Sequence, residues 1–141
     1  MNKKGAIIVI EDDPDDQSIF SDVFKELNYN NKIIFFNDGQ EALDHLRSTF
    51  DEPFIVFSDI NMPKLSGIEL RKQIFENENI RLKTIPYLFF TTSADQRDVI
   101  EAYSKSVQGF FVKPSDFHEL KNTIRIIVEY WQKCVSPIYV A

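Results

Sequence analysis

The sequence predicts one α/β domain built on an open parallel sheet of five strands with helices on both faces. Two patterns carry that expectation: five short apolar runs spaced along the chain, and an amphipathic stretch after each of them. Length bounds it, since 141 residues suffice for one domain with a real core and not comfortably for two.

The apolar runs are residues 6–10, 32–36, 54–57, 85–90 and 109–112. They are rich in Ile, Val and Phe and nearly unbroken rather than alternating. Strands covered on both faces of a parallel sheet read this way, because neither face meets water. The stretches between them open with helix signals. Asp13-Pro14 supplies a cap and a first-turn proline, followed by a stripe of Ile19, Phe20, Val23, Phe24 and Leu27. Asp38-Gly39-Gln40-Glu41 resembles a capping box ahead of Ala42, Leu43 and Leu46. Ser66 is placed to cap a third helix carrying Ile68, Leu70, Ile74 and Phe75. Ser93 or Asp95 caps the fourth, and Ser115 the fifth, which carries Leu120, Ile124, Ile127, Val128 and Trp131.

Composition narrows the class. No apolar run approaches the roughly 20 residues that a spanning helix needs, and the opening residues lack a signal-peptide core and cleavage site. A lone Cys134 leaves no internal disulfide and fits a reducing, cytoplasmic setting. A net charge of −6 argues against nonspecific binding to nucleic acid, a polyanion.

In open parallel sheets the working crevice lies outside the strands' carboxyl ends. After the first strand stand Glu11, Asp12 and Asp13; after the third, Ser58, Asp59 and then Asn61-Met62-Pro63. Thr91 and Thr92 follow the fourth, and Lys113-Pro114 the fifth. Two carboxylates about 6 Å apart at an effective dielectric near 20 repel by roughly 3 kcal/mol. Such a cluster raises one pKa, draws in Lys113, or takes a hard divalent cation. Mg²⁺ suits it, because that ion uses one or two carboxylates and accepts phosphate oxygens. An Asp beside it can attack phosphorus, with Lys113 and the Thr91 hydroxyl as donors to phosphoryl oxygens.

Each group also has a plain structural role. Acids at a strand-to-helix turn complement the helix dipole, and Asp13 is first of all a cap. A single Asp after a strand is commonly a turn residue. His45 and His118 fall inside helix patterns and read as surface residues. The conjunction carries the inference.

With these residues assembled, residues 4–131 resemble the receiver domains of two-component response regulators. The family's acidic pair is matched by Glu11-Asp12, its phosphoacceptor by Asp59, and its methionine-proline turn and following glycine by Met62-Pro63 and Gly67. Its switch threonine falls on Thr91, its Lys-Pro pair on Lys113-Pro114 and its switch aromatic on Phe110. The resemblance implies a flavodoxin-like (βα)5 fold with strand order 2-1-3-4-5, a receiver domain over residues 4–134 and a short tail over 135–141. It also implies Mg²⁺ on Asp12, Asp59 and the Asn61 carbonyl, with Glu11 behind them, and a cis peptide before Pro114. Four positions depart from the family: Ser58 replaces a bulky aliphatic, Thr92 a smaller residue, and Ser106-Val107 a Gly-Ala pair.

The implied function is a phosphoacceptor switch. A histidine kinase or phosphotransfer protein supplies the phosphoryl group to Asp59, Thr91 moves inward, and Phe110 turns. The face made by the fourth helix, fifth strand and fifth helix then engages a protein target, a second copy of the chain, or a phosphotransfer partner. The protein assists its own phosphorylation and dephosphorylation and is not otherwise an enzyme. Nothing after Lys113-Pro114 is long enough for an output domain, so the output is a contact with another protein rather than with nucleic acid or membrane. The apolar tail at residues 136–140 is expected to pack back or extend a dimer interface. Residues 91–131 look similar to stand-alone regulators paired with phytochrome-type kinases, and Asn61 and Ser93 are expected to tune the acyl-phosphate lifetime. A haloacid-dehalogenase-type phosphohydrolase would carry its nucleophilic Asp after the first strand, with a second Asp two residues on. A flavin module would need a phosphate-cradling loop where Glu11-Asp12-Asp13 would repel phosphate. A pseudo-receiver would lack one of the acids, Asp59 or Lys113.

Overall fold

A computed structural model describes residues 1–92 and 94–137, without the side chains of residues 80 and 81. The strands are β1 (Ile7–Ile10), β2 (Ile33–Phe36), β3 (Ile55–Ser58), β4 (Tyr87–Thr91) and β5 (Gly109–Val112). The helices are α1 (Pro14–Leu27), α2 (Gly39–Ser48), α3 (Gly67–Phe75), α4 (Ile80–Lys83), α5 (Gln96–Ser104) and α6 (Phe117–Lys133). All strand pairs are parallel, in the order β2-β1-β3-β4-β5. The expected five-stranded, doubly wound sheet is therefore the fold. The single turn α4 was not foreseen, and it makes the predicted fourth and fifth helices α5 and α6.

Strand side chains alternate between two apolar layers. Ile8, Ile10, Val56 and Phe89 meet Leu43, Leu46, Leu70, Ile74 and Ala102 from α2, α3 and α5. Ile7, Val9, Phe57 and Phe90 meet Phe20, Val23 and Phe24 of α1 and Leu120, Ile124 and Val128 of α6. Burial of both faces explains the unbroken apolar runs in β1, β3 and β4. Phenylalanine fills the second layer through edge-on contacts of Phe90 with Phe20 and Phe57 and a stack on Phe111 at 4.9 Å. Each such buried ring contributes about 1.5–3 kcal/mol through area alone.

Asp13, Asp38 and Ser66 cap α1, α2 and α3 as expected, and Asp95 caps α5. Asp116, not Ser115, caps α6, its carboxylate accepting from the Glu119 N–H at 3.3 Å. The register shifts by one because only Asp116 stands three residues before the free N–H. Ile19 and Phe75 leave their predicted apolar stripes and are exposed. His45 is half-buried against Phe36, with ring centroids 5.1 Å apart, whereas His118 is exposed. No described helix is long and apolar enough to cross a membrane. Ser93 and the last four residues of the tail, 138–141, lie outside the described residues.

Candidate functional site

Among the described residues the buried polar side chains are Glu11, Asp38, Ser58, Asp59, Arg71 and Thr91. All but Arg71 stand at the carboxyl end of a strand or within two residues of it. Desolvating polar groups is costly, so their gathering at one sheet edge marks the working end of the molecule.

Strand register brings the acids together. Ile10 pairs with Ser58, and the Asp59 N–H donates to the Ile10 carbonyl at 3.0 Å, which places Glu11 and Asp59 side by side. Asp12 follows on the exposed rim. One carboxylate oxygen from each of Glu11, Asp12 and Asp59 lies within 4.8 Å of the others. Asp59 is oriented by the Ile60 N–H, which donates to its Oδ1 at 2.7 Å, leaving Oδ2 turned toward Lys113.

Lys113 reaches the cluster from β5, its backbone N–H donating to the Thr91 carbonyl at 2.7 Å. Its Nζ donates to Asp16 Oδ2 at 2.8 Å, Glu11 Oε2 at 3.0 Å and Asp59 Oδ2 at 3.3 Å. Asp16 was missed in the sequence. Its only signal is a first-turn acid in α1, which reads equally well as a dipole complement. The expected cis bond before Pro114 is absent: no cis peptide occurs among the described residues. The ordinary trans form, favoured by about 0.5–1 kcal/mol at X–Pro, already delivers Lys113 to all three acids.

Three carboxylates, those of Glu11, Asp16 and Asp59, thus share one ammonium, and Asp12 adds a fourth acid beside them. Burial pushes the Glu11 carboxyl up to about 8, against the opposing hydrogen bond from Lys113. Burial alone would lower the Lys113 pKa, but its hydrogen bonds to Asp16 and Glu11 outweigh that and hold it above the ordinary range. The excess of clustered, hard oxygen donors is the setting that fits a divalent cation.

The remaining predicted residues frame this centre. Thr91 is buried at the end of β4, Asn61 is exposed on the loop after Asp59, and Thr92 is exposed at the rim. Phe110 is half-buried, its ring 5.9 Å from that of Phe89. Ser58 turns its hydroxyl to donate to the Asp59 carbonyl at 2.8 Å. Gly67 lies directly behind Asp59: a Cβ there would come within 2.0 Å of the Asp59 carbonyl oxygen, so any other residue would force the backbone to move.

Fold and site together define a phosphoacceptor class of signalling domain, and similarity to known proteins agrees. The response regulator receiver domain model matches residues 7–125. The chain belongs to this family, the receiver domains of two-component response regulators. It is 35% identical over 129 residues to the probable methanogenesis regulatory protein FilR2 of Methanothrix harundinacea, covering 89% of this chain and 82% of that one. It is 34% identical to the chemotaxis protein CheY-3 of Vibrio cholerae, covering 92% and 95%. The structure of the Mn²⁺-bound response regulator Rcp1, a protein of Synechocystis, superposes with a TM-score of 0.81 at 27% identity, covering 96% and 99%. The acidic cluster of Glu11, Asp12 and Asp59 fits a phosphorylation site of this family and suits Mg²⁺.

Proposed function

We propose that Asp59 accepts a phosphoryl group from the phosphohistidine of a histidine kinase or phosphotransfer protein. The observation that carries this reading is Lys113 Nζ standing 3.3 Å from Asp59 Oδ2 within the cluster of acids. The Asp59 carboxylate attacks phosphorus, the P–N bond breaks with its electron pair leaving on the imidazole, and an acyl phosphate forms. Lys113 exchanges its carboxylate contacts for phosphoryl oxygens, and the Thr91 hydroxyl donates to them as well. Asp12, Asp59 and the Asn61 carbonyl, with Glu11 behind them, would hold Mg²⁺, which supplies charge neutralisation to the oxygens around phosphorus. That the similar Rcp1 has a Mn²⁺-bound form supports binding of a divalent cation. The same groups would assist hydrolysis of the acyl phosphate.

Movement of Thr91 toward the phosphoryl group opens space for Phe110, which gains burial and no hydroxyl hydrogen bond. The shift is limited to what the phosphoryl group gains from the second arrangement. Its readout is the surface of α5, β5 and α6, where Ile100, Tyr103, Val112, Ile126 and Tyr130 are exposed. That surface binds a protein target, a phosphotransfer partner or a second copy of the chain. The receiver unit comprises residues 4–134, with 135–141 as an appended tail.

The test is incubation with Mg²⁺ and acetyl phosphate, followed by a search for a base-labile phosphoryl mass on the Asp59 peptide. A mass that appears in the native chain and not in Asp59→Asn supports the reading. An unmodified Asp59 under conditions where Mg²⁺ binds overturns it.

A further inference from the structure

Arg71 is the buried polar side chain that stands away from the sheet's carboxyl edge. It projects from α3, is 1% exposed, and forms no ion pair among the described residues. Burial lowers its pKa, and its Nη1 has no hydrogen-bond partner among the described residues. A cation is held so expensively only where its other contacts are strong. Those contacts are the end of α5. Arg71 Nε donates to the Lys105 carbonyl and Nη2 to the Ser106 carbonyl, both at 2.9 Å. The last turn of α5 contains no basic residue of its own, so the guanidinium of α3 faces the negative end of that helix.

The corner it holds is a strained one. Ser106 has φ 58°, the left-handed region where a Cβ is unfavourable and glycine is at ease. Two donors meet on its carbonyl, Arg71 Nη2 and Gln108 Nε2, each at 2.9 Å. Val107 beside it is buried. The corner is thus a left-handed turn held by side-chain hydrogen bonds.

From there a continuous set of contacts runs to the back of Asp59. The Arg71 guanidinium lies over the Tyr87 ring, 5.4 Å from its centroid. The Tyr87 backbone is bonded twice by Gln108, its N–H donating to the side-chain Oε1 at 2.6 Å and its carbonyl accepting from the Gln108 backbone N–H at 2.9 Å. The Tyr87 hydroxyl makes a long contact, 3.5 Å, to the Gly67 carbonyl. Ser58 and Gly67 are the residues that touch the Asp59 carbonyl.

We infer that Arg71 is a positioning residue, tying the α5–β5 corner at residues 105–108 through Tyr87 to the backbone behind Asp59. Closure of the corner and the state of Asp59 then bias one another. The inference rests on the reading of Asp59 as phosphoacceptor. Its basis is the left-handed corner that Arg71 holds through two carbonyls.

Amide hydrogen exchange of residues 105–108 in the full chain tests it, with and without Mg²⁺ and beryllofluoride as phosphoryl mimic. Arg71→Met is expected to speed exchange at the corner at least tenfold. Ser106→Gly added to Arg71→Met is expected to restore slow exchange to within threefold, because the backbone no longer needs holding. Tyr87→Phe keeps the ring and the fold; it is expected to keep the corner protected while abolishing its response to the mimic. Exchange in Arg71→Met within threefold of the native chain overturns the inference. So does a response that survives in Tyr87→Phe, which decides the matter even if Arg71→Met fails to fold. Acetyl phosphate labelling run in parallel separates the two layers. Labelled Asp59 with an indifferent native corner sinks the coupling alone, whereas unlabelled Asp59 sinks the phosphoacceptor reading and the coupling with it.

Discussion

Lys113 lies closer to Asp16 than to Asp59: its Nζ is 2.8 Å from Asp16 Oδ2 and 3.3 Å from Asp59 Oδ2. The first turn of α1 therefore competes with Asp59 for the ammonium. In the proposed reading, a phosphoryl group on Asp59 must also release Lys113 from Asp16.

Asp16→Asn removes that competitor and leaves the three clustered acids in place. Mg²⁺ affinity measured by calorimetry should fall less than about tenfold, the scale of one unbound charge a few ångströms away in a solvated site. Asp12→Asn, which deletes a donor outright, should cost more than about tenfold. Equal losses in the two variants would make Asp16 a ligand and refute its assignment as a partner of Lys113 only.

Lys113→Ala separates binding from chemistry. Removing the positive charge beside three carboxylates should tighten Mg²⁺ binding. Phosphorylation of Asp59 by acetyl phosphate should nonetheless slow about 10²-fold, the usual cost of deleting a donor aimed at developing oxyanion charge. The rate of appearance of the Asp59 phosphoryl mass measures it; an unchanged rate removes Lys113 from the mechanism.

The Glu11 carboxyl, raised from an ordinary 4.5 to about 8, predicts a pH dependence in the metal-free protein. The folded chain holds a proton there that the unfolded chain has already released. The stability contributed by this proton is fully present below about pH 4.5 and is lost as pH rises through 8. Melting temperature in EDTA should decline from pH 5 to 8, and Glu11→Gln, which cannot ionise, should flatten the decline. A slope identical in the native and variant proteins would place the titration elsewhere.

Gly67→Ala should be among the costlier single-methyl changes in the chain. The new Cβ would sit 2.0 Å from the Asp59 carbonyl oxygen and 2.8 Å from Phe89 Cε1, so backbone must move. Overpacking of this kind costs about 1–3 kcal/mol, and here the displaced strand end carries Asp59. The urea midpoint should drop with an unchanged m-value, and Asp59 labelling should slow in the same variant. Native stability in Gly67→Ala would contradict the tight approach.

What sequence alone determined is what local chemistry and period determine. Unbroken Ile, Val and Phe runs require burial on both faces, which only a covered parallel sheet supplies. Asp13, Asp38 and Ser66 declare helix starts because a cap bonds to N–H groups two or three residues away. The acids, Thr91 and Lys113 were legible as a cluster because a parallel sheet sends every strand end to the same edge. The short turn α4 has no cap or stripe to announce it, and Ser115 and Asp116 differ by a single position in the same kind of signal. Which acid takes which cation was left to tertiary structure. Asp16 is one acid of several in α1, and Arg71 one basic residue in an amphipathic helix, until folding brings Lys113 and the Ser106 carbonyl to them. Charges interact across space without regard to chain separation, whereas caps and apolar periods act within a few residues. Hence the sheet and the edge where Asp59 sits could be read from the chain, while the partners of Lys113 and Arg71 were decided only by the fold.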